Sequence, residues 1–208
     1  KDGVEVQTVE HLMASLWGTG IDNAYIEVSG AEVPGVDGSA LPFVQHLKAA
    51  GALEQPVPRR YLTLREPVCV EEGESSIAVF PDRTLRVSYL LSYPHPLLRS
   101  QFVSYALDGE ASFEQTIAPA RTFCLKEEAE QLRAAGFGRG ATFENTLVLG
   151  EQGVMNNTLR FEDECARHKV LDLLGDLYLL GGRLRAHVIA VKSGHPLNVK
   201  LLKKLDQA

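Results

Sequence analysis

Apolar residues recur at helical spacing near the start of the chain, where Val9, Leu12, Met13, Leu16 and Trp17 share one face. Thr8 is placed to cap that helix, over about residues 9–17, and Gly18 and Gly20 to stop it. Over residues 23–29 the period shortens to two, with Ala24, Ile26 and Val28 alternating against Tyr25 and Glu27, which predicts a half-buried strand. A glycine-bounded turn follows at 35–38, Ser39 is a second candidate cap, Pro42 suits a first helical turn, and Gly51 ends a helix over about residues 41–50. Further strands are predicted at 61–70, 76–80 and 84–92, the last two joined by a turn at Pro81, Asp82 and Arg83.

Beyond residue 124 the pattern turns mixed. An amphipathic helix over 125–135 leads to a glycine-rich bend at Gly136, Gly138 and Gly140 and an apolar strand at 147–149. Residues 164–181 give the longest helix, 185–191 a strand, and 195–205 a closing helix that begins after Ser193 and Gly194. Strands and helices that do not alternate regularly predict an α+β fold of two layered sheet-plus-helix units. The first unit spans residues 1–54, a linker with Pro56 and Pro58 covers 55–60, and the second unit spans 61–208, with 124–150 as an inserted subdomain.

Composition narrows the function classes. A chain of 208 residues, 45% apolar, can bury a substantial core, and it has no uninterrupted apolar run long enough to cross a membrane. The net charge of −6 disfavours a partner that is nucleic acid, since sequence-independent binding there needs a concentrated basic surface. Cys69, Cys124 and Cys165 are odd in number and lack metal-type spacing, so reduced thiols and a cytoplasmic location are expected. Residues 1–10 show neither the apolar stretch nor the cleavage pattern of a signal peptide.

The chemistry concentrates in the long helix. His168, Asp172 and Asp176 are spaced by four and lie on one stripe, while Val170, Leu171, Leu173, Leu174, Leu177 and Leu180 cover the rest of the circumference. A helix enclosed in this way needs a partner or a cation for its buried carboxylates, and imidazole plus carboxylate suits a divalent metal such as zinc, with iron an alternative for the same ligands. The spacing also fits a solvated helix face with an ion pair. Glu10 and His11 open the first helix and offer a base and a further ligand. His195 stands at the head of the last helix, and Thr122 supplies a hydroxyl donor.

Taken in order, T-V-E-H-L (8–12), G-I-D-N (20–23), E-V-P-x-x-D-G-S-A-x-P-F (32–43), A-R-T-F (120–123), L-R-F-E-D-E (159–164), R-H-K-x-L-D-x-x-G-D-L (167–177) and K-S-G-H-x-L-N (192–198) resemble the zinc-dependent UDP-3-O-acyl-N-acetylglucosamine deacetylases of lipid A biosynthesis. The resemblance covers essentially the whole chain. It implies an active site between the two units and a passage for the substrate's acyl chain formed by the inserted subdomain. It implies Zn²⁺ as cofactor on His11, His168 and Asp172, with Glu10 as general base, Thr122 holding the oxyanion, and His195, paired with Asp176, protonating the leaving amine. Lys169 and Lys192 would meet the sugar or diphosphate of the UDP-3-O-acyl-N-acetylglucosamine substrate, and Phe123 would line the acyl passage.

Other fragments have structural roles. Asp37 and Gly38 are expected to shape a turn and cap a helix, His95 between two prolines to order a loop, and His46, His187 and the cysteines to be structural. The resemblance also implies several dozen residues before T-V-E-H-L, so the first unit reads as incomplete, either a fragment or a short form that self-associates. The loop 155–158 is one residue shorter than the family pattern. Two alternatives stay open beside the deacetylase: a non-catalytic UDP-lipid-binding homologue, and a zinc amidase for another N-acyl substrate.

Overall fold

The computed structural model describes residues 3–106, 110–136, 138 and 140–207. Two helices, α1 (Glu10–Gly18) and α2 (Leu41–Ala50), precede five strands: β1 (Tyr61–Thr63), β2 (Val68–Glu72), β3 (Ser75–Pro81), β4 (Arg86–Leu91) and β5 (Gln101–Ala106). Next come α3 (Glu110–Thr116), β6 (Phe123–Leu125), α4 (Lys126–Ala134), β7 (Leu147–Gly150) and β8 (Gly153–Val154). The chain closes through α5 (Glu164–Tyr178), β9 (Arg183–Val191) and α6 (His195–Leu205). The fold class is α+β, as the unalternated pattern predicts.

Strand β9 organises the main sheet, whose order is β2-β3-β9-β4-β5, with β1 pairing the beginning of β9. Its register sets Ala186, Val188 and Ala190 on one face beside Ile77 and Val79 of β3 and Val87 and Tyr89 of β4, all buried. Helices α5 and α6 cover that face, and α1 lies on the far side of α5 with α2 beside it. The layers therefore run sheet, α5 with α6, then α1 with α2. A second sheet of three short strands, β6-β7-β8, stands beside α4.

Four local expectations are corrected. Residues 23–29 form no strand and no ladder among the described residues, and Tyr25 is wholly exposed. Alternation gives a strand its two faces, yet it supplies no neighbour to pair with. The run 61–70 divides, because Pro67 lacks an amide proton and precedes a change of partner: β1 runs parallel to β9, and β2 antiparallel to β3. Pro81, expected in a turn, ends β3 instead, and a short link with a bend at 83–84 leads to β4; the two strands are not paired, since β9 is inserted between them. Thr8 does not cap α1. It has φ of 56°, and its hydroxyl donates to Glu32 Oε1 at 2.7 Å, while Val9 occupies the N-cap position.

Candidate metal centre and active site

Helix α5 is buried on nearly every side: Val170, Leu171, Leu173 and Leu174 have no exposure, and its polar stripe points at α1 rather than at water. The close seat of α1 depends on Gly175, where a side chain would collide with the Glu10 carbonyl. That seat brings His11 of α1 beside His168 and Asp172 of α5. One ligand atom from each of the three lies within 4.8 Å of the others, and all three residues are buried.

Their hydrogen bonds define which atoms are available. His168 Nδ1 is 3.0 Å from the Ala120 carbonyl, which can only accept, so Nδ1 carries the proton and Nε2 presents a lone pair. That Nε2 faces Asp172 Oδ1 at 3.3 Å, and His11 Nε2 approaches the same oxygen to 3.8 Å. Burial pushes the His168 imidazole down to about 4, against the attraction of Asp172, so the ring is neutral near pH 7. Burial by itself would raise Asp172, but the Lys169 ammonium beside it holds it well below the usual carboxylate range. A neutral lone pair and an ionised carboxylate thus face each other inside the protein, which calls for a cation between them. His11 Nδ1 has no hydrogen-bond partner among the described residues. The donor set fits a divalent metal of the borderline class.

The second oxygen of Asp172 is taken by Lys169 Nζ at 2.6 Å, leaving Oδ1 directed at the imidazoles. Lys169 is therefore no solvated helix lysine: its side chain is 15% exposed, and Asp172 raises its pKa although burial opposes this. Glu10 lies next to His11, with Oε1 4.0 Å from His11 Nε2 and a largely buried side chain.

One turn beyond Asp172 on α5, Asp176 Oδ2 accepts from His195 Nδ1 at 2.8 Å and from Asn198 Nδ2 at 2.7 Å. The Asp176 hydrogen bond, outweighing burial, lifts the His195 imidazole to about 9, so it is protonated near neutral pH. Thr122 follows the loop that carries the Ala120 carbonyl, and its own amide donates to Gly38 O at 2.8 Å. Phe123 begins β6, its ring edge-on to His168 at 6.5 Å and to Tyr93 at 6.0 Å. Thr122 and Phe123 also line a pocket of about 210 Å³ with Ala141, Phe143 and Val148 from the 124–150 segment. Lys192, in a left-handed backbone conformation (φ 51°), reaches Glu74 at 2.6 Å instead of the imidazoles.

The structural residues sit apart. Asp37 Oδ1 accepts from the amide and hydroxyl of Ser39, whose Oγ in turn accepts from the first amide of α2. His95 accepts from the Leu97 amide through Nδ1 and meets Gly150 O through Nε2 at 3.1 Å, ordering a loop. All three cysteines are free. Sequence reasoning assigned no role to Gly175, Glu164, Arg121 or Asn198. Each lies inside a quoted motif, and Glu164 stands four residues before His168, a spacing that was legible.

Fold and site together define a class: α+β proteins whose buried two-histidine, one-carboxylate group, with a carboxylate and a charged imidazole alongside, is able to hold a metal ion. The profile of the LpxC family, UDP-3-O-acyl N-acetylglycosamine deacetylase, matches residues 1–207, and the chain belongs to that family. The UDP-3-O-acyl-N-acetylglucosamine deacetylase of Syntrophotalea carbinolica is 44% identical over 206 residues, covering 99% of this chain and 66% of the relative. Those of Citrifermentans bemidjiense (45% over 201 residues; 96% and 66% covered) and Myxococcus xanthus (43% over 207 residues; 99% and 65% covered) are similar. The chain spans 66% of the length of the first two of these curated relatives. Among the described residues, no helix is long and apolar enough to cross a membrane.

Proposed function

We propose that this chain catalyses zinc-dependent hydrolysis of the N-acetyl group of UDP-3-O-acyl-N-acetylglucosamine, releasing acetate and a free amine, as a step of lipid A biosynthesis. The convergence of His11, His168 and Asp172 within 4.8 Å carries the proposal, and membership of the deacetylase family supports the substrate. When bound by these three residues, zinc would polarise the acetamide carbonyl and bring the pKa of a coordinated water to about 7.

The remaining steps belong to the protein's own groups. Glu10 takes a proton from the attacking water, a role that suits a carboxylate held beside His11. The Thr122 hydroxyl donates to the developing oxyanion. His195, kept charged by Asp176, stabilises that charge and delivers a proton to the leaving amine. Lys169 keeps Asp172 ionised and turned to the imidazoles, a part different from the expected contact with the sugar diphosphate. Lys192 would have to leave exposed Glu74 to reach a diphosphate, an exchange that costs little at a solvated pair. Phe123 and the pocket beyond it suit the substrate's acyl chain. Three free thiols agree with work in the reducing cytoplasm.

Zinc content by elemental analysis, with acetate release from the UDP-sugar substrate, tests this on wild type and His168→Ala. About one zinc per chain and turnover, both lost in the variant, is the expected result. Zinc without turnover would refute the catalytic proposal in favour of a binding homologue, and turnover of N-acyl substrates lacking the nucleotide would refute the assigned substrate.

A further inference from the structure

The stripe of α5 that carries His168, Asp172 and Asp176 begins one turn earlier, with Glu164, a carboxylate with no solvent exposure. An unpaired charge in that place would be strongly destabilising, and four donors meet it. Oε1 accepts from the Arg121 amide at 3.0 Å and from Arg121 Nε at 2.9 Å. Oε2 accepts from Arg121 Nη2 at 3.2 Å and from the Arg160 amide at 2.6 Å.

Arg121 sits between Ala120, whose carbonyl accepts from His168 Nδ1, and Thr122, the proposed oxyanion donor. The loop is gripped at successive residues. Arg160 Nη1 donates to Pro119 O at 2.7 Å, His168 to Ala120 O, the Arg121 amide to Glu164, and the Thr122 amide to Gly38 O. Arg160 also ties this assembly to Asp37 through Nη2 at 2.9 Å. Because Glu164 and His168 ride one helix four residues apart, about 6 Å along its axis, the clamp and the ligand it serves keep a fixed separation.

We propose that Glu164 is a positioning residue for the metal centre. By holding Arg121 it sets the Ala120 carbonyl that keeps the His168 proton on Nδ1 and leaves Nε2 open, and it aims the Thr122 hydroxyl at the same time. The metal side of this proposal rests on the zinc reading above, whereas the tautomer does not. Groups that orient a ligating histidine through its other ring nitrogen are worth about 10–100-fold in metal affinity when removed.

Glu164→Gln keeps the shape and turns one acceptor oxygen into a donor that faces other donors. In metal-free protein, nitrogen NMR of the imidazoles should show His168 as a single Nδ1–H tautomer in wild type and as a mixture in the variant. Zinc affinity, measured against a chromophoric chelator, should fall about 10–100-fold in the variant. A folded Glu164→Gln protein with wild-type tautomer and wild-type zinc affinity overturns the proposal. Since loss of half a buried ion pair can unfold a chain, Arg160→Ala is measured alongside. Its side chain is 34% exposed, and its removal frees Pro119 and Asp37 without touching Glu164. It should shift both readouts in the same direction by less. If Glu164→Gln does not fold, unchanged readouts in Arg160→Ala overturn the proposal. Wild-type protein that binds no zinc would refute the metal reading instead, and the tautomer would still decide the role of Glu164.

Discussion

Gly175 lies against the start of helix α1 so closely that a Cβ placed on it would be 2.1 Å from the carbonyl oxygen of Glu10. The obstacle is backbone, which cannot swing aside as a side chain does. Gly175→Ala should therefore push α1 off α5, costing about 1–3 kcal/mol as an overpacked contact does. It should also separate His11 from His168 and Asp172. Denaturant unfolding and a zinc titration of the same sample check both effects. A variant with wild-type stability and zinc affinity would show that the close approach is not what assembles the site.

The division of labour within α1 gives a second prediction. Glu10→Gln removes a base but no ligand, so zinc should stay near one per chain while kcat falls about 10²–10⁴-fold. Asp172→Ala should lose the metal itself. Full activity in Glu10→Gln, under conditions where chemistry limits the rate, would assign the proton transfer elsewhere.

The imidazole of His195 should titrate near 9 in the metal-free protein, and Asp176→Asn should return it toward 6.5. Because the folded pKa is raised, its stabilising contribution is complete below about 6.5 and is lost as pH rises through about 9. The side chain is 46% exposed, so solvent screens the energy, and the titration itself is the better readout. Proton NMR of the His195 ring is the measurement. A wild-type value near 6.5 would remove the basis for a charged donor at neutral pH.

His168 has the opposite sign. Its folded pKa, about 4, lies below the usual 6.5, so the unfolded chain binds the extra proton first. Metal-free protein should be at full stability above about 6.5 and lose it as pH falls toward 4. Asp172, held low as well, adds to the loss only at still lower pH. Urea unfolding across that range should show a weaker pH dependence in His168→Gln than in wild type. Equal slopes would mean that His168 is not buried as a neutral ring.

Much of this protein is legible in its sequence because local rules govern it. The spacing of four that joins His168, Asp172 and Asp176 follows from helix geometry alone, and so does the enclosure of α5 by leucine and valine. Helix α2 is found over the predicted residues because Pro42 and Gly51 punctuate it through backbone conformation. What no local rule supplies is the partner. The alternation over 23–29 contains a strand's two faces but not a neighbouring ladder, and β3 and β4 adjoin in sequence while β9, about a hundred residues later, lies between them. The same holds for the site. The sequence determined which residues could do the chemistry, whereas only tertiary packing decided that α1 would rest on Gly175, that Lys169 would take one oxygen of Asp172, and that Glu164 would grip the loop of Thr122. Those contacts join residues far apart in the chain or set one side chain's direction against another's, and their energies exist only once the helices have packed.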